Sequence, residues 1–179
     1  MAKIRAPRNY EEPSEVEPLS SYLSSWPAEY SNVPAIVIET WIYRHWSEFQ
    51  EWLPLNPLEW QYEPATLSND EIMTVRHPGQ FAKTLEFWGS DLISGQNRKS
   101  TRLGKYMLES GTTPVPIIVA KNAGGWAHPR KQELLMCEPL QIIEGHMRMA
   151  YLQGMIRFNH TSLKASHEVI VVTLPDRFE

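Results

Sequence analysis

The chain has 179 residues, 42% of them hydrophobic, which is enough material to bury a sizeable core within one domain. Its formal charge of −4 excludes a protein that coats nucleic acid by bulk electrostatics, so any such contact must come from a local basic patch. The single cysteine, Cys137, rules out an intramolecular disulfide, and no run nears the roughly 20 apolar residues that a membrane-spanning helix needs, so a cytoplasmic location is expected.

Residues 1–20 hold Pro7, Pro13 and Pro18 among Glu and Ser, a composition that predicts a flexible tail ahead of a single domain over 21–179. Within that domain, 21–92 reads as a helical, Trp-rich section packed on a core over 93–179. Trp26, Trp41, Trp46, Trp52, Trp60 and Trp88 all precede residue 90, which predicts an aromatic cluster there, with a base-stacking or partner surface as the alternative. Ile38, Trp41, Ile42, His45, Phe49, Trp52 and Leu53 recur at three- and four-residue spacing, predicting one helix that ends before Pro54 and places His45 on its core face. After a connection punctuated by Pro54, Pro57 and Pro64, Ser68 and Glu71 have capping-box spacing and predict a short helix to about Arg76. A second helix is expected from Phe81 to Trp88, stopped by Gly89.

The polar loop 95–101 leads into a predicted helix over 102–110 with Gly111 as its C-terminal stop. Arg98, Lys99, Arg102 and Lys105 cluster here as one basic face that could hold phosphates or a nucleic-acid backbone; solvated surface charge is the plain alternative. A strand over 115–120 and a loop over 121–132 follow. Gly124-Gly125 in that loop lacks the Lys-Ser/Thr ending of a phosphate-binding Walker loop and reads as a turn. Cys137 lies in surroundings that would not lower its pKa and is expected to be partly buried and unreactive. Strands over 138–143 and 169–174, joined by a helix over 147–155, complete an α/β (α+β) fold with a small mixed sheet.

The junction of Leu140-Gln141-Ile142-Ile143 with Glu144-Gly145-His146-Met147-Arg148 carries the most chemistry. A strand, a glycine turn and a helix start make an anion site, because the first N–H groups of a helix lack intrahelical partners and carry partial positive charge. Gly145 gives a ligand access to the backbone, and Arg148, expected on an exposed helix turn, can clamp an anion. The alternative is a corner in which Glu144 caps the helix and Arg148 is solvated.

Preceded by the Pro116-Ile117-Ile118-Val119 strand and followed by an Ala-Tyr-Leu helix and Val169-Ile170-Val171-Val172, this turn resembles that of the ParB/sulfiredoxin superfamily over about 96–174. The resemblance implies that Gly145, His146 and Arg148, with Arg98 and Arg102, bind the phosphates of ATP or another nucleotide together with Mg2+. It implies further that Glu144 holds the metal or acts as general base, with His146 assisting, in an ATPase or DNase reaction. It extends to the branch of plasmid-encoded suppressors of conjugative and oncogenic transfer. His146 stands where sulfiredoxins carry their reactive cysteine, which argues against sulfinic-acid reduction, and a partition-type DNA clamp would need a further helix-turn-helix domain.

Other chemistries find little footing. One Cys and six scattered His do not make a zinc site, and His160 and His167 do not match its spacing. No Gly-x-Ser-x-Gly elbow marks a hydrolase. The rival readings are a non-catalytic module that binds a protein partner through its Trp-rich half, and a small-molecule kinase.

Overall fold

Pro18, Pro27 and Pro34, each with the φ near −60° that proline enforces, start successive short helical pieces: α1 (Leu19–Ser24), a 3-10 turn (Ala28–Tyr30) and α2 (Ala35–Val37). In this computed structural model, which describes residues 4–79, 81–129 and 131–174, they belong to one of two compact units. The first unit runs to Tyr62 and includes Leu174; the second is Glu63–Thr173.

The helix predicted over 38–53 is not continuous. α2 widens into a π-helical turn (Ile38–Tyr43), the backbone breaks at His45 (φ −130°, ψ 47°), and α3 (Trp46–Gln50) resumes. His45 is therefore exposed, not a core histidine. The extra residue of the π turn resets the helical phase, and the rings that spacing alone would stack along one stripe converge instead. Trp41 meets Phe49 at 4.9 Å and Trp52 at 5.9 Å edge-on, and stacks with Trp60 at 6.2 Å. All four are at most 2% exposed, and such pairs contribute about 0.5–1.5 kcal/mol each beyond their burial.

Where composition predicts a flexible tail, residues 4–18 are held by specific bonds. Glu17 accepts from Arg5 at 2.6 and 3.0 Å and from the Arg8 backbone N–H at 3.0 Å, while Tyr22 donates to the Arg5 carbonyl at 2.7 Å. The Arg5 hydrogen bond is the main cause that holds the Glu17 carboxyl down to about 2. Composition could not show this, because the partners lie 12 and 17 residues apart.

The second unit is an α/β fold. Its elements are β1 (Gln61–Ser68), α4 (Asn69–Thr74), β2 (Val75–Arg76), α5 (Phe81–Ser94), α6 (Arg102–Ser110), β3 (Ile117–Lys121), β4 (Ala127–His128), β5 (Lys131–Leu135), β6 (Leu140–Glu144), α7 (His146–Arg157) and β7 (Ser166–Thr173). Five strands form a mixed sheet in the order β1-β7-β3-β6-β2, in which β3 runs parallel to β7 and antiparallel to β6. β4 and β5 pair separately; β4 lies inside the stretch expected to be loop, and β5 runs from its end to Leu135. β1 replaces the expected proline-punctuated connection: it is a largely exposed edge strand, so it lacks an alternating pattern and tolerates Pro64.

The caps read from sequence are present. Ser68 and Glu71 form a reciprocal capping box on α4, Thr101 accepts from the Gly104 N–H at 3.0 Å at the start of α6, and Gly111 (φ +73°) closes it. Gly89 does not stop its helix. A Cβ there would press into the Ala150 carbonyl, and one at Gly154 into the Gly89 carbonyl, so this glycine pair sets the close approach of α5 and α7. That packing places α5 with the sheet, and the division falls at 62/63 instead of 92/93. The core beneath α7 joins Ile72, Leu92, Met107, Ile117, Val119, Ile142, Tyr151, Leu152 and Met155, all at 0% exposure.

Candidate functional site

Ile142 and Ile143 bury β6 in the sheet, and the chain turns into α7 within a single residue. Gly145 makes that turn at φ +93°, ψ 28°, a left-handed conformation that side chains with a Cβ adopt at a cost. A Cβ here would also stand 2.9 Å from Arg148 Nη2 and 3.2 Å from Ile117 Cγ2. Both backbone and packing therefore require glycine, and the guanidinium lies over the turn. Gly145, as the N-cap, has no side chain to offer α7, and the first turn carries no acidic residue, which is an electrostatic setting that favours an anion.

Arg148 is buried, where its place in the first turn of the helix predicts an exposed side chain. Its Nη2 donates to Glu144 Oε2 across one helical turn, with the two side chains 11% and 13% exposed. The bond uses one of five guanidinium N–H donors and fixes the plane in which the rest point. Glu144 is thus not an isolated carboxylate: its Oε2 is engaged by Arg148. Among the described residues no three His, Cys, Asp or Glu side chains converge as a metal-binding group.

His146, the first residue of α7, is half-buried with its ring 5.9 Å from His77 and 6.0 Å from Phe81. His77 was not anticipated, since a lone His before Pro78 carries no spacing signal. Its protonation follows from a chain of donors. Gln153 Nε2 donates to the carbonyls of Ile72 (3.0 Å) and Val75 (3.1 Å), so Gln153 Oε1 faces His77 Nε2 at 3.1 Å and must accept its proton. Nδ1 then carries the lone pair, and it is buried with no hydrogen-bond partner among the described residues. Burial pushes the His77 pKa down, opposed by the Gln153 bond, which leaves the imidazole neutral around pH 7.

The predicted basic face is only partly assembled. The Arg98 guanidinium stacks on Trp88 at 4.3 Å, donates to the Tyr151 hydroxyl at 3.2 Å and lies 3.6 Å from Asp91. It is tethered to α5 and α7, with its charge offset by Asp91. Lys99 is half-buried, whereas Arg102 and Lys105 are exposed three residues apart on α6, which puts them on one face. Cys137, expected to be partly buried, is exposed. In the first unit, an acidic cleft of about 420 Å³ is lined by Glu29, Tyr30, Leu58, Glu59 and Trp60 and shares no residue with the β6–α7 corner.

Comparison with family models, curated proteins and solved structures returns no match to this chain.

Proposed function

We propose that the β6–α7 corner binds the phosphates of a nucleotide, and that the chain is a ParB/sulfiredoxin-like hydrolase of phosphate bonds in nucleotides or nucleic acid. The reading draws on the resemblance of the turn to that superfamily. The observation that carries it is the left-handed Gly145 at the start of α7, with a buried guanidinium held over it. In this reading the α7 N–H groups and the remaining Arg148 donors take the phosphate oxygens. Arg98 orders the α5–α6 loop beside Tyr151, and Arg102 contributes from α6.

Proton handling falls to the histidines. In this reading the His77 lone pair is the proton acceptor, with the His146 ring 5.9 Å from the His77 ring at the start of α7. Magnesium, if it accompanied the nucleotide, would supply charge neutralisation, and Glu144 is the carboxylate at this corner that could hold it. Glu144 has Oε2 engaged by Arg148, so the donors at this corner fit phosphate better than metal, and the role of Glu144 is to position Arg148.

The test is thermal stabilisation by ATP, ADP, CTP and inorganic phosphate, each with and without magnesium. Nucleotide at about 100 times its dissociation constant should add roughly 2.7 kcal/mol, in the absence of magnesium as well. Arg148→Lys, which keeps charge but loses the planar fork, should abolish most of it. An unchanged shift in that variant sinks the assignment, and a shift that needs magnesium returns Glu144 to the metal role. Phosphate release without an acceptor separates hydrolase from small-molecule kinase.

The acidic cleft of the first unit favours a second reading, a module whose Trp-rich half docks a basic protein partner. No nucleotide-induced shift, with retained partner binding, would favour it. A cytoplasmic location belongs to the same proposal. No helix among the described residues is long and apolar enough to cross a membrane.

A further inference from the structure

A second side-chain relay lies in the sheet-bearing unit, built from residues that the phosphate corner does not use. Thr112 Oγ1 stands 2.9 Å from His167 Nδ1, and His167 Nε2 stands 2.9 Å from Asn69 Oδ1. The direction of each bond follows from the far end. Asn69 Nδ2 donates to the Lys164 carbonyl at 3.2 Å, so Oδ1 must face the imidazole and accept from Nε2–H. That tautomer leaves the lone pair on Nδ1, where the Thr112 hydroxyl can only be the donor. A hydroxyl, an imidazole and an orienting amide in this order form one of the constellations that turn a neutral side chain into a nucleophile.

Three elements hold the relay in place. His167 sits on β7 at 2% exposure, and Asn69 opens α4 beside the Ser68–Glu71 capping box. Thr112 follows the left-handed Gly111 that ends α6. The Lys164 N–H donates to the Gly111 carbonyl at 3.1 Å, Ser162 Oγ to the Leu108 carbonyl at 2.7 Å, and Ser110 Oγ to the Thr112 carbonyl at 2.9 Å. The nucleophile's backbone is therefore clamped while Thr112 itself stays partly exposed. Burial, with Lys164 adding to it, lowers the His167 pKa and keeps the ring a neutral base.

We propose that Thr112 is a nucleophilic hydroxyl, activated by His167 and aligned through Asn69, that accepts an acyl group from an activated ester. Oγ1 bonds to the ester carbonyl carbon and its proton passes to His167 Nδ1. The bond from carbonyl carbon to leaving oxygen breaks, and the imidazolium returns the proton to that oxygen. Water then repeats the cycle on the acyl-threonine and releases the acid. A neutral amide stabilises the imidazolium less than a carboxylate does, so the substrate class is aryl esters, whose leaving groups need little help, and not amides.

The test incubates the full chain with p-nitrophenyl acetate, following p-nitrophenolate release and locating the acetyl group by tandem mass spectrometry. In samples quenched with acid during the first turnover, before water releases the acid, up to one acetyl per chain is expected, on Thr112. Thr112→Val should remove the label, Thr112→Ser should keep it, and His167→Gln should slow acetylation by about 10²–10⁴-fold, the usual contribution of a general base. Asn69 is a positioning residue: Asn69→Leu should lower kcat with the KM for the ester unchanged, a split that loss of packing alone would not produce. Acetyl groups confined to lysines, or an equal rate in Thr112→Val, overturn the proposal. Should that variant fail to fold, the position of the label in the unmodified chain and in Thr112→Ser decides the matter.

Discussion

Replacing Glu144 by alanine strands a buried guanidinium. The Arg148 side chain is 11% exposed and its partner 13%, so neither charge can be hydrated without moving the start of α7. Removing one member of a buried pair costs about 3–5 kcal/mol, and the residual exposure places this site near the low end, about 3 kcal/mol. For a chain of this size each kcal/mol shifts the melting temperature by roughly 2–4 °C, which gives a drop of about 6–12 °C. Loss of a helix cap would cost only about 1 kcal/mol. The measurement is a double-mutant cycle in urea with Glu144→Ala, Arg148→Met and the pair combined. Coupling of about 2 kcal/mol is expected, because the second substitution removes the charge that the first strands. Inorganic phosphate should restabilise Glu144→Ala more than the unmodified protein, since it replaces the lost carboxylate on a freed guanidinium. A change within about 0.5 kcal/mol, or strict additivity, would refute the reasoning.

Gly89→Ala should destabilise by about 1–3 kcal/mol, read from the urea midpoint, because its methyl presses on backbone, the Ala150 carbonyl and the Gly154 Cα; an exposed helix glycine would gain stability from the same change. His77 and His167 both have pKa values lowered by burial, so the unfolded chain takes up protons before the folded one. Stability is therefore complete above their ordinary value of about 6.5 and falls as pH drops below it, and His77→Gln or His167→Gln should flatten that fall in denaturation at pH 7.5 and 5.5. Glu17, held down to about 2, adds a separate loss between its ordinary range and that value, which Glu17→Gln should remove. If α6 meets a nucleic-acid backbone, the Arg102→Ala, Lys105→Ala double variant should flatten the log–log salt slope on duplex DNA by roughly 2; Arg98→Ala should act through stability instead, as it is stacked on Trp88.

What the sequence determined by itself is local. Thr101 and Gly111 bound α6, Ser68 and Glu71 start α4, and Gly145 parts β6 from α7, because each of these depends on one residue's dihedral angles or on a bond spanning three residues. The α/β character follows in the same way from the buried strand Ile117–Lys121 and the apolar β7. Tertiary structure decided whatever depends on partners distant in the chain. β1 is a strand because an edge was open to it, and α5 passes through Gly89 because α7 lies against it. The same holds at the sites. Spacing placed Glu144 and Arg148 one turn apart, but only burial made them an ion pair. His77 meets Gln153 across 76 residues, and Thr112, His167 and Asn69 meet across 55 and 98, separations over which no periodic pattern persists. A tautomer is set by the last donor in such a chain, and that donor is known only once the chain has folded.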